Sequence, residues 1–321
     1  MGLQMEQFCA TSTSDDVMRG VDLSGKVALV TGTSAGLGVE TASALAAAGA
    51  TVLMAARDEA RNRKAMAAIA ERIPAAQLAY LVLDLADPQS IRRCSEAVLS
   101  HWPRLDLLIN NAGVMACPLQ RTRQGWEWQV AVNHIGHFLL TGWLLPALLR
   151  ASAPRVVNLS SSGHKYSPVD FDDPHFNTRA YDKWLAYGQA KTANIWHAVA
   201  LYQHLQGTGL SAFAVHPGAI VTELGRHLSK EDIRALHTGT PQQPTLTFKS
   251  VPQGAATTLW AATSTALAGR GGLYLEDCRI GRPASAADST VGGYAPWALD
   301  PERAQALWEA TQRWTGTQFD Y

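Results

Sequence analysis

Lys26-Val27-Ala28-Leu29-Val30-Thr31-Gly32-Thr33-Ser34-Ala35-Gly36-Leu37-Gly38 is the stretch that decides the fold. Lys26 to Val30 is a short apolar run with the composition of a strand, the glycines punctuate a turn, and the alanine-rich segment from Leu37 to Ala48 reads as a helix. A strand feeding a glycine turn and a helix start lets backbone approach a pyrophosphate, with the first helical N–H groups facing it. A lone glycine pattern is also what an ordinary tight turn looks like, so its meaning rests on the residues downstream of it.

Working outward, the same alternation repeats. Thr51 to Ala55 reads as a strand, Ala60 to Arg72 as a helix, Ala79 to Leu83 as a strand, Pro88 to Ser100 as a helix and Leu105 to Ile109 as a strand. A long helix from Trp126 to Leu149, a strand from Arg155 to Leu159, a helix from Trp184 to Leu205 and a strand from Ser211 to Val215 complete the series. Strands that are apolar throughout and separated by helices imply a parallel sheet covered on both faces, because an open face would demand polar alternation. The expectation is a doubly wound α/β sheet, a Rossmann fold, formed as a single domain over residues 23–321 behind a polar extension over residues 1–22. Residues 164–183 and 223–252 fit no regular element and are rich in Pro, His, Asp and Thr, which marks them as substrate-loop insertions.

Composition narrows the partner. The 321 residues carry 27 Lys+Arg against 27 Asp+Glu, so no basic field exists to hold a nucleic acid. No apolar run approaches the roughly 20 residues that span a bilayer, and Asp15 and Asp16 interrupt the place where a secretory signal would be apolar. A cytoplasmic protein acting on a small molecule is the expectation. Cys9, Cys94, Cys117 and Cys278 are scattered with no metal-ligand spacing, so no metal site is expected and the thiols read as packing residues.

Tyr187 and Lys191 stand at i and i+4 of a predicted helix and therefore share a face. A phenol titrates near pH ~10, too high for efficient proton exchange at neutral pH. An ammonium about 4 Å away, at an effective dielectric of roughly 20, offers about 4 kcal/mol, equivalent to about three pKa units. Alone, a Tyr-x-x-x-Lys pair is commonly a solvated face. Here the strand Arg155-Val156-Val157-Asn158-Leu159 ends in Ser160-Ser161, hydroxyls of the kind that hold a substrate carbonyl.

The spacing T-G-x-x-x-G-x-G over Thr31 to Gly38, the Asn110-Asn111-Ala112-Gly113 element, the Asn158-Leu159-Ser160-Ser161 strand end, Tyr187 with Lys191, and His216-Pro217-Gly218-Ala219-Ile220-Val221-Thr222 occur in this order. Together they resemble the short-chain dehydrogenase/reductase family, closely from about Leu23 to Thr222. The Ser-Gly-His164 sequence, the long stretch between Ser161 and Tyr187 and the Asp300 to Trp308 pattern resemble its retinol dehydrogenase and protochlorophyllide reductase branch. The resemblance implies a catalytic set of Asn133, Ser161, Tyr187 and Lys191, with Asn133 holding a water that links the lysine to solvent. It implies a dinucleotide held by Gly32, Ser34, Gly36, Leu37, Gly38, Arg57, Asp84, Leu85, Asn111, Ala112, Gly113, Tyr187, Lys191, Pro217, Gly218, Ile220 and Thr222.

Where NAD-binding versions of the fold place a ribose-binding carboxylate after the second strand, this chain has Ala56, followed by Arg57. A guanidinium there, with the Ser34 hydroxyl, suits a 2′-phosphate, so NADP is the expected cofactor and NAD the alternative. Asp84 is read either as an adenine contact or as a helix cap ahead of Pro88. Phe171, Phe176, Tyr181, Trp184, Leu246 and Phe248 are candidates to wall a hydrophobic pocket, or else to anchor loops. The expected reaction interconverts a lipophilic ketone or aldehyde and its alcohol, with Tyr187 as general acid and base. Reduction of a conjugated C=C, with Cys117 either facing the substrate or packed, and a non-catalytic NADP sensor are the alternatives. The resemblance also implies a homodimer or homotetramer paired through the helices carrying Asn133 and Tyr187, with Trp196 in that contact or in the core. His164, His216 and His227 read as structural.

Overall fold

The computed structural model describes residues 8–238, 247–285 and 292–319. Its strands are β1 (Val27–Thr31), β2 (Thr51–Ala56), β3 (Gln77–Val82), β4 (Leu107–Asn110), β5 (Arg155–Leu159), β6 (Ser211–His216), β7 (Ala219–Ile220), β8 (Phe248–Lys249), β9 (Leu273–Glu276) and β10 (Arg279–Ile280). Among the described residues eight of them form one sheet in the order β10-β9-β6-β5-β4-β1-β2-β3. All neighbours pair in parallel except the edge strand β10, which returns antiparallel on β9. The interior strands β4, β5 and β6 are buried at every residue, as the apolar composition requires when both faces are covered.

The helices are α1 (Ser14–Met18), α2 (Gly36–Ala47), α3 (Glu59–Arg72), α4 (Pro88–His101), α5 (Trp128–Val130), α6 (Gly136–Leu148), α7 (Lys183–His204), α8 (Lys230–Thr238), α9 (Val251–Thr263) and α10 (Pro301–Thr315). One face of the sheet packs its core against α4, α6, α7 and α10. The other packs against α1, α2 and α9. The chain runs outward through β1, β2 and β3 and then restarts at β4 on the other side of β1. Strand order reverses there, and the crevice beyond the carboxyl ends of β1 and β4 is where this architecture binds ligands.

Several elements differ from the sequence expectation. The residues ahead of the sheet contribute α1, closed by a Thr13/Asp16 capping box and anchored by buried Val17 against α9 and α2. The long helix predicted from Trp126 is α5 and α6 joined by a π-helical turn over Ala131–Ile135. That wider turn carries Asn133, and π-turns inside helices often mark functional positions. The stretch 223–252, expected to be irregular, holds α8 and the start of α9. Ser229 and Asp232 cap α8 reciprocally, and an ion pair from Lys183 to Asp232 ties it to the start of α7.

The helices on which pairing between copies is expected are already covered by this chain. α10 packs along α7, and the Phe319 ring fills the space that a side chain at Gly142 of α6 would need. Trp196 lies in the core, fully buried, with its indole N–H donating to the Trp297 carbonyl at 2.8 Å. A copy pairing on this face would have to displace α10. Among the described residues no helix is long and apolar enough to cross a membrane.

Candidate active site

The glycine turn sits in the crevice between β1 and β4. Gly32 adopts φ +74°, and a Cβ there would come within 2.8 Å of the Ala112 backbone. Only glycine permits both the left-handed conformation and the close approach. Asn111 Nδ2 donates to the Thr31 carbonyl at 2.7 Å and the Ala112 N–H to Thr31 Oγ1 at 2.9 Å, which locks the Asn110–Gly113 segment against the turn. Asn110 Nδ2 bonds Asn158 Oδ1 at 2.8 Å and Thr141 Oγ1 at 3.0 Å, joining β4 to β5 and α6.

A cavity of about 900 Å³ runs from this turn to the serine strand end. Gly32, Ser34, Gly36, Leu37, Gly38, Arg57, Asp84, Leu85, Asn111, Ala112, Gly113, Pro217, Gly218, Ile220 and Thr222 all line it, as do Ser161, Tyr187 and Lys191. Arg57 stands exposed at the end of β2, and among the described residues it has no ion-pair partner. The neighbouring Asp58 is committed, since its carboxylate caps α3 by accepting from the Arg61 N–H at 3.0 Å. Arg61, which carries no motif that marks it in the sequence, lies at the same end and pairs with Glu223 at 2.6 Å. The cap reading of Asp84 does not hold. Asp87 caps α4, while Asp84 Oδ1 accepts from the Ala86 N–H at 3.0 Å within its own turn.

At the other end, Ser161 is the last residue before a 3₁₀ turn over Ser162–Tyr166, and its Oγ accepts from the Gly163 N–H at 3.1 Å. The Tyr187 ring packs beside it, against Gly163. Burial pushes the Tyr187 phenol up to about 12, with the neighbouring Ser161 hydroxyl acting in the opposite direction. Lys191, one turn along α7, is buried, and burial lowers its ammonium to about 8. Its Nζ donates to the Leu159 carbonyl at 3.0 Å and lies 5.7 Å from the centre of the Tyr187 ring. The Lys191 ammonium is aimed at the strand end, and burial is the main influence on the Tyr187 phenol.

Asn133 is placed beside the cavity rather than in it. Its side chain bonds the Val114 backbone in both directions, at 2.8 and 2.9 Å, and approaches Lys191 across Gly113, where a Cβ would lie 3.0 Å from Asn133 Oδ1 and 3.5 Å from Lys191 Nζ. The carbonyl of Asn133 accepts from His137 Nδ1 at 2.9 Å, and the other ring nitrogen meets Thr31 Oγ1 at 2.9 Å. Nothing in the sequence singles out His137. Gly163, against which the Tyr187 ring rests, is marked in the sequence only as part of the Ser-Gly-His164 run, with no sign of this contact.

Of the aromatic candidates, Trp184 and Phe248 line the cavity, joined by Met115, Trp128, Tyr166, Leu224, Leu228 and Ile233. Phe171 stacks on Trp196, and Phe176 and Tyr181 pack on each other, with the Tyr181 hydroxyl bound to Glu127 and the Cys117 carbonyl. These three anchor the loop instead. Leu246 lies outside the described residues. Cys117 is a fully buried thiol raised to about 11 by burial, not a cavity group.

Comparison with known proteins agrees with this geometry. The family described as short chain dehydrogenase matches residues 26–233. The chain is 39% identical over 308 residues to the short-chain dehydrogenase/reductase prx1 of Penicillium roqueforti, covering 94% of this chain and 89% of that protein. It is 38% identical over 289 residues to retinol dehydrogenase 12 of Mus musculus, covering 90% and 89%. A solved structure of an uncharacterized protein from Mycobacterium paratuberculosis superposes with a TM-score of 0.74 at 32% identity, covering 97% of this chain and all (100%) of that one. A short chain dehydrogenase from Escherichia coli CFT073 complexed with NADPH superposes with a TM-score of 0.62 at 26% identity, covering 79% and 97%. With the glycine turn, the Ser161–Tyr187 pair and these likenesses together, the chain belongs to the short-chain dehydrogenase/reductase family of oxidoreductases, in its retinol-dehydrogenase-like branch.

Proposed function

We propose that this protein is an NADP-dependent oxidoreductase that interconverts a lipophilic ketone or aldehyde and the corresponding alcohol. The observation that carries the reading is that Ser161 and Tyr187 stand together beside Gly163 at one end of a cavity whose far end is the glycine turn with Arg57. The cavity fits a dinucleotide: Gly32 and Gly36 have left-handed backbones that leave room for a pyrophosphate, and the start of α2 offers it unpaired N–H groups. Arg57 would bind the 2′-phosphate, with the Ser34 hydroxyl adding a bond. When bound, the nicotinamide supplies or takes the hydride.

The remaining chemistry falls to this chain's own side chains. Ser161 Oγ donates to the carbonyl oxygen and orients it. Tyr187, a neutral phenol in its buried setting, holds the proton that the oxygen needs as its negative charge develops. Lys191, which lines the cavity, would hold the nicotinamide ribose. Asn133 steadies the Gly113–Val114 segment against Lys191. Met115, Trp128, Tyr166, Trp184, Leu224 and Ile233 would exclude water and favour an apolar substrate body.

The test is a steady-state screen of hydrophobic ketones, aldehydes and alcohols with NADPH and with NADH, on the parent protein and on Tyr187→Phe. NADPH-linked carbonyl reduction is expected, with Tyr187→Phe slower by about 10²–10⁴-fold. Near-parental turnover in a folded Tyr187→Phe would overturn the role assignment, and tight NADPH binding without turnover across the panel would favour a sensor.

A further inference from the structure

The peptide unit that follows Ser161 is gripped at both ends by imidazoles. Its carbonyl oxygen, on Ser161, accepts from His164 Nδ1 at 2.6 Å as well as from the His164 backbone N–H at 3.1 Å. Its N–H, on Ser162, donates to His216 Nδ1 at 3.2 Å. Both rings are buried, His164 within the 3₁₀ turn and His216 at the end of β6, just before the Pro217–Thr222 segment.

We infer that His164 and His216 are positioning residues which, as neutral rings of opposite tautomer, clamp the Ser161–Ser162 peptide plane and so aim the Ser161 hydroxyl. This rests on the role given to Ser161 in the proposed function.

A peptide unit is planar, so holding its oxygen and its N–H fixes its rotation about the Ser161 Cα–C bond. That rotation sets where Oγ stands relative to the Gly163 N–H, from which it accepts, and to the neighbouring Tyr187. The tautomers follow from the partners. His164 donates through Nδ1 and accepts at Nε2 from the Ala295 N–H at 3.0 Å, so its proton is on Nδ1. His216 accepts at Nδ1, so its proton is on Nε2. A protonated ring would lose the accepting nitrogen in either place. Burial opposes that charge and holds the two rings at about 4 and about 3.

The clamp also has reach. Ala295 belongs to a C-terminal segment held at Gly293 by two bonds from its N–H to the buried Glu276 carboxylate, at 2.9 and 3.1 Å. Lys165, beside His164, donates to the Gly292 carbonyl. The serine turn is thus braced by the far end of the chain on one side and by the strand leading into the Pro217–Thr222 segment on the other.

Two isosteric substitutions separate positioning from packing. Asn at 164 carries an amide N–H where Nδ1 stands and can still donate to Ser161; Gln carries its amide near Nε2 and cannot. His164→Gln is expected to lower kcat by about 10- to 100-fold with the KM for NADPH unchanged within about twofold, while His164→Asn stays within about fivefold of the parent. Equal losses in the two variants that track thermal stability, or no loss of kcat in His164→Gln, would overturn the inference.

A measurement independent of turnover completes the test. ¹⁵N histidine spectra of the folded parent should show one ring as Nδ1–H and one as Nε2–H, assigned by His164→Asn and His216→Asn and constant from about pH 8 to about pH 5. Any other tautomers refute the clamp itself. Correct tautomers with full turnover in Ser161→Ala would instead refute the proposed function.

Discussion

The ring of Tyr187 rests in the space that any side chain at Gly163 would fill. A Cβ built there would stand 2.7 Å from ring Cε1 and 2.9 Å from Cδ1. The phenol and the serine turn are therefore packed as one unit. Gly163→Ala must push the ring or the turn aside. The expected result is a fall in kcat of about 100-fold, with a loss of stability of only about 1–3 kcal/mol. Single-turnover kinetics beside a urea titration would check it, and unchanged kcat would mean that the contact is slack.

Cofactor choice should follow Arg57. A charge-assisted contact to phosphate contributes about 1.5–3 kcal/mol, so Arg57→Ala should raise the KM for NADPH by about 10- to 100-fold and leave that for NADH nearly unchanged. Arg61→Ala should have a smaller effect, because in the structure that guanidinium is engaged by Glu223. Parallel titrations with both cofactors decide the matter; equal effects on both would remove the 2′-phosphate from Arg57.

Acid should destabilise the fold early. His137 and His164 are held by burial at about 4, and His197 and His216 at about 3, all below the ordinary 6.5. The unfolded chain takes up these protons below about pH 6.5 and the folded chain does not, so stability is complete above that pH and falls as pH drops toward 4. At pH ~5 the loss is on the order of 2 kcal/mol per ring, against a total stability of about 5–15 kcal/mol. Urea midpoints at three pH values between about 7 and 5 should fall steadily. A flat profile would show that these rings are charged when folded.

The C-terminal cover should be separable from the chemistry. Phe319 sits on Gly142 of α6 and packs on Phe138, with ring centres 5.5 Å apart. Phe319→Ala is expected to cost about 1–3 kcal/mol while leaving kcat per folded molecule unchanged. Sedimentation of the same variant should show whether uncovering α6 promotes self-association.

Much of the site was legible because its signals are local. Thr31 to Gly38, Asn110 to Gly113 and the Tyr187/Lys191 spacing each lie within one turn or one helix, and a doubly wound sheet brings the carboxyl ends of its strands to one crevice. The two histidines were legible only as residues, since their roles depend on partners 54 positions away for Ser162 with His216 and 131 away for Ala295 with His164. The aromatic residues divided for the same reason. Trp184 and Phe248 face the cavity, while Phe171, Phe176 and Tyr181 are held by neighbours from other elements.

By itself the sequence determined the α/β alternation, the glycine turn and the order of the chemical groups, because hydrophobic period and backbone freedom are properties of short segments. Tertiary structure alone decided that Lys191 donates to the Leu159 carbonyl, which imidazole nitrogens carry protons, and that α10 covers α7. Those outcomes turn on burial and on contacts between distant segments, where desolvation and hydrogen-bond geometry outweigh anything a residue's neighbours in sequence can specify.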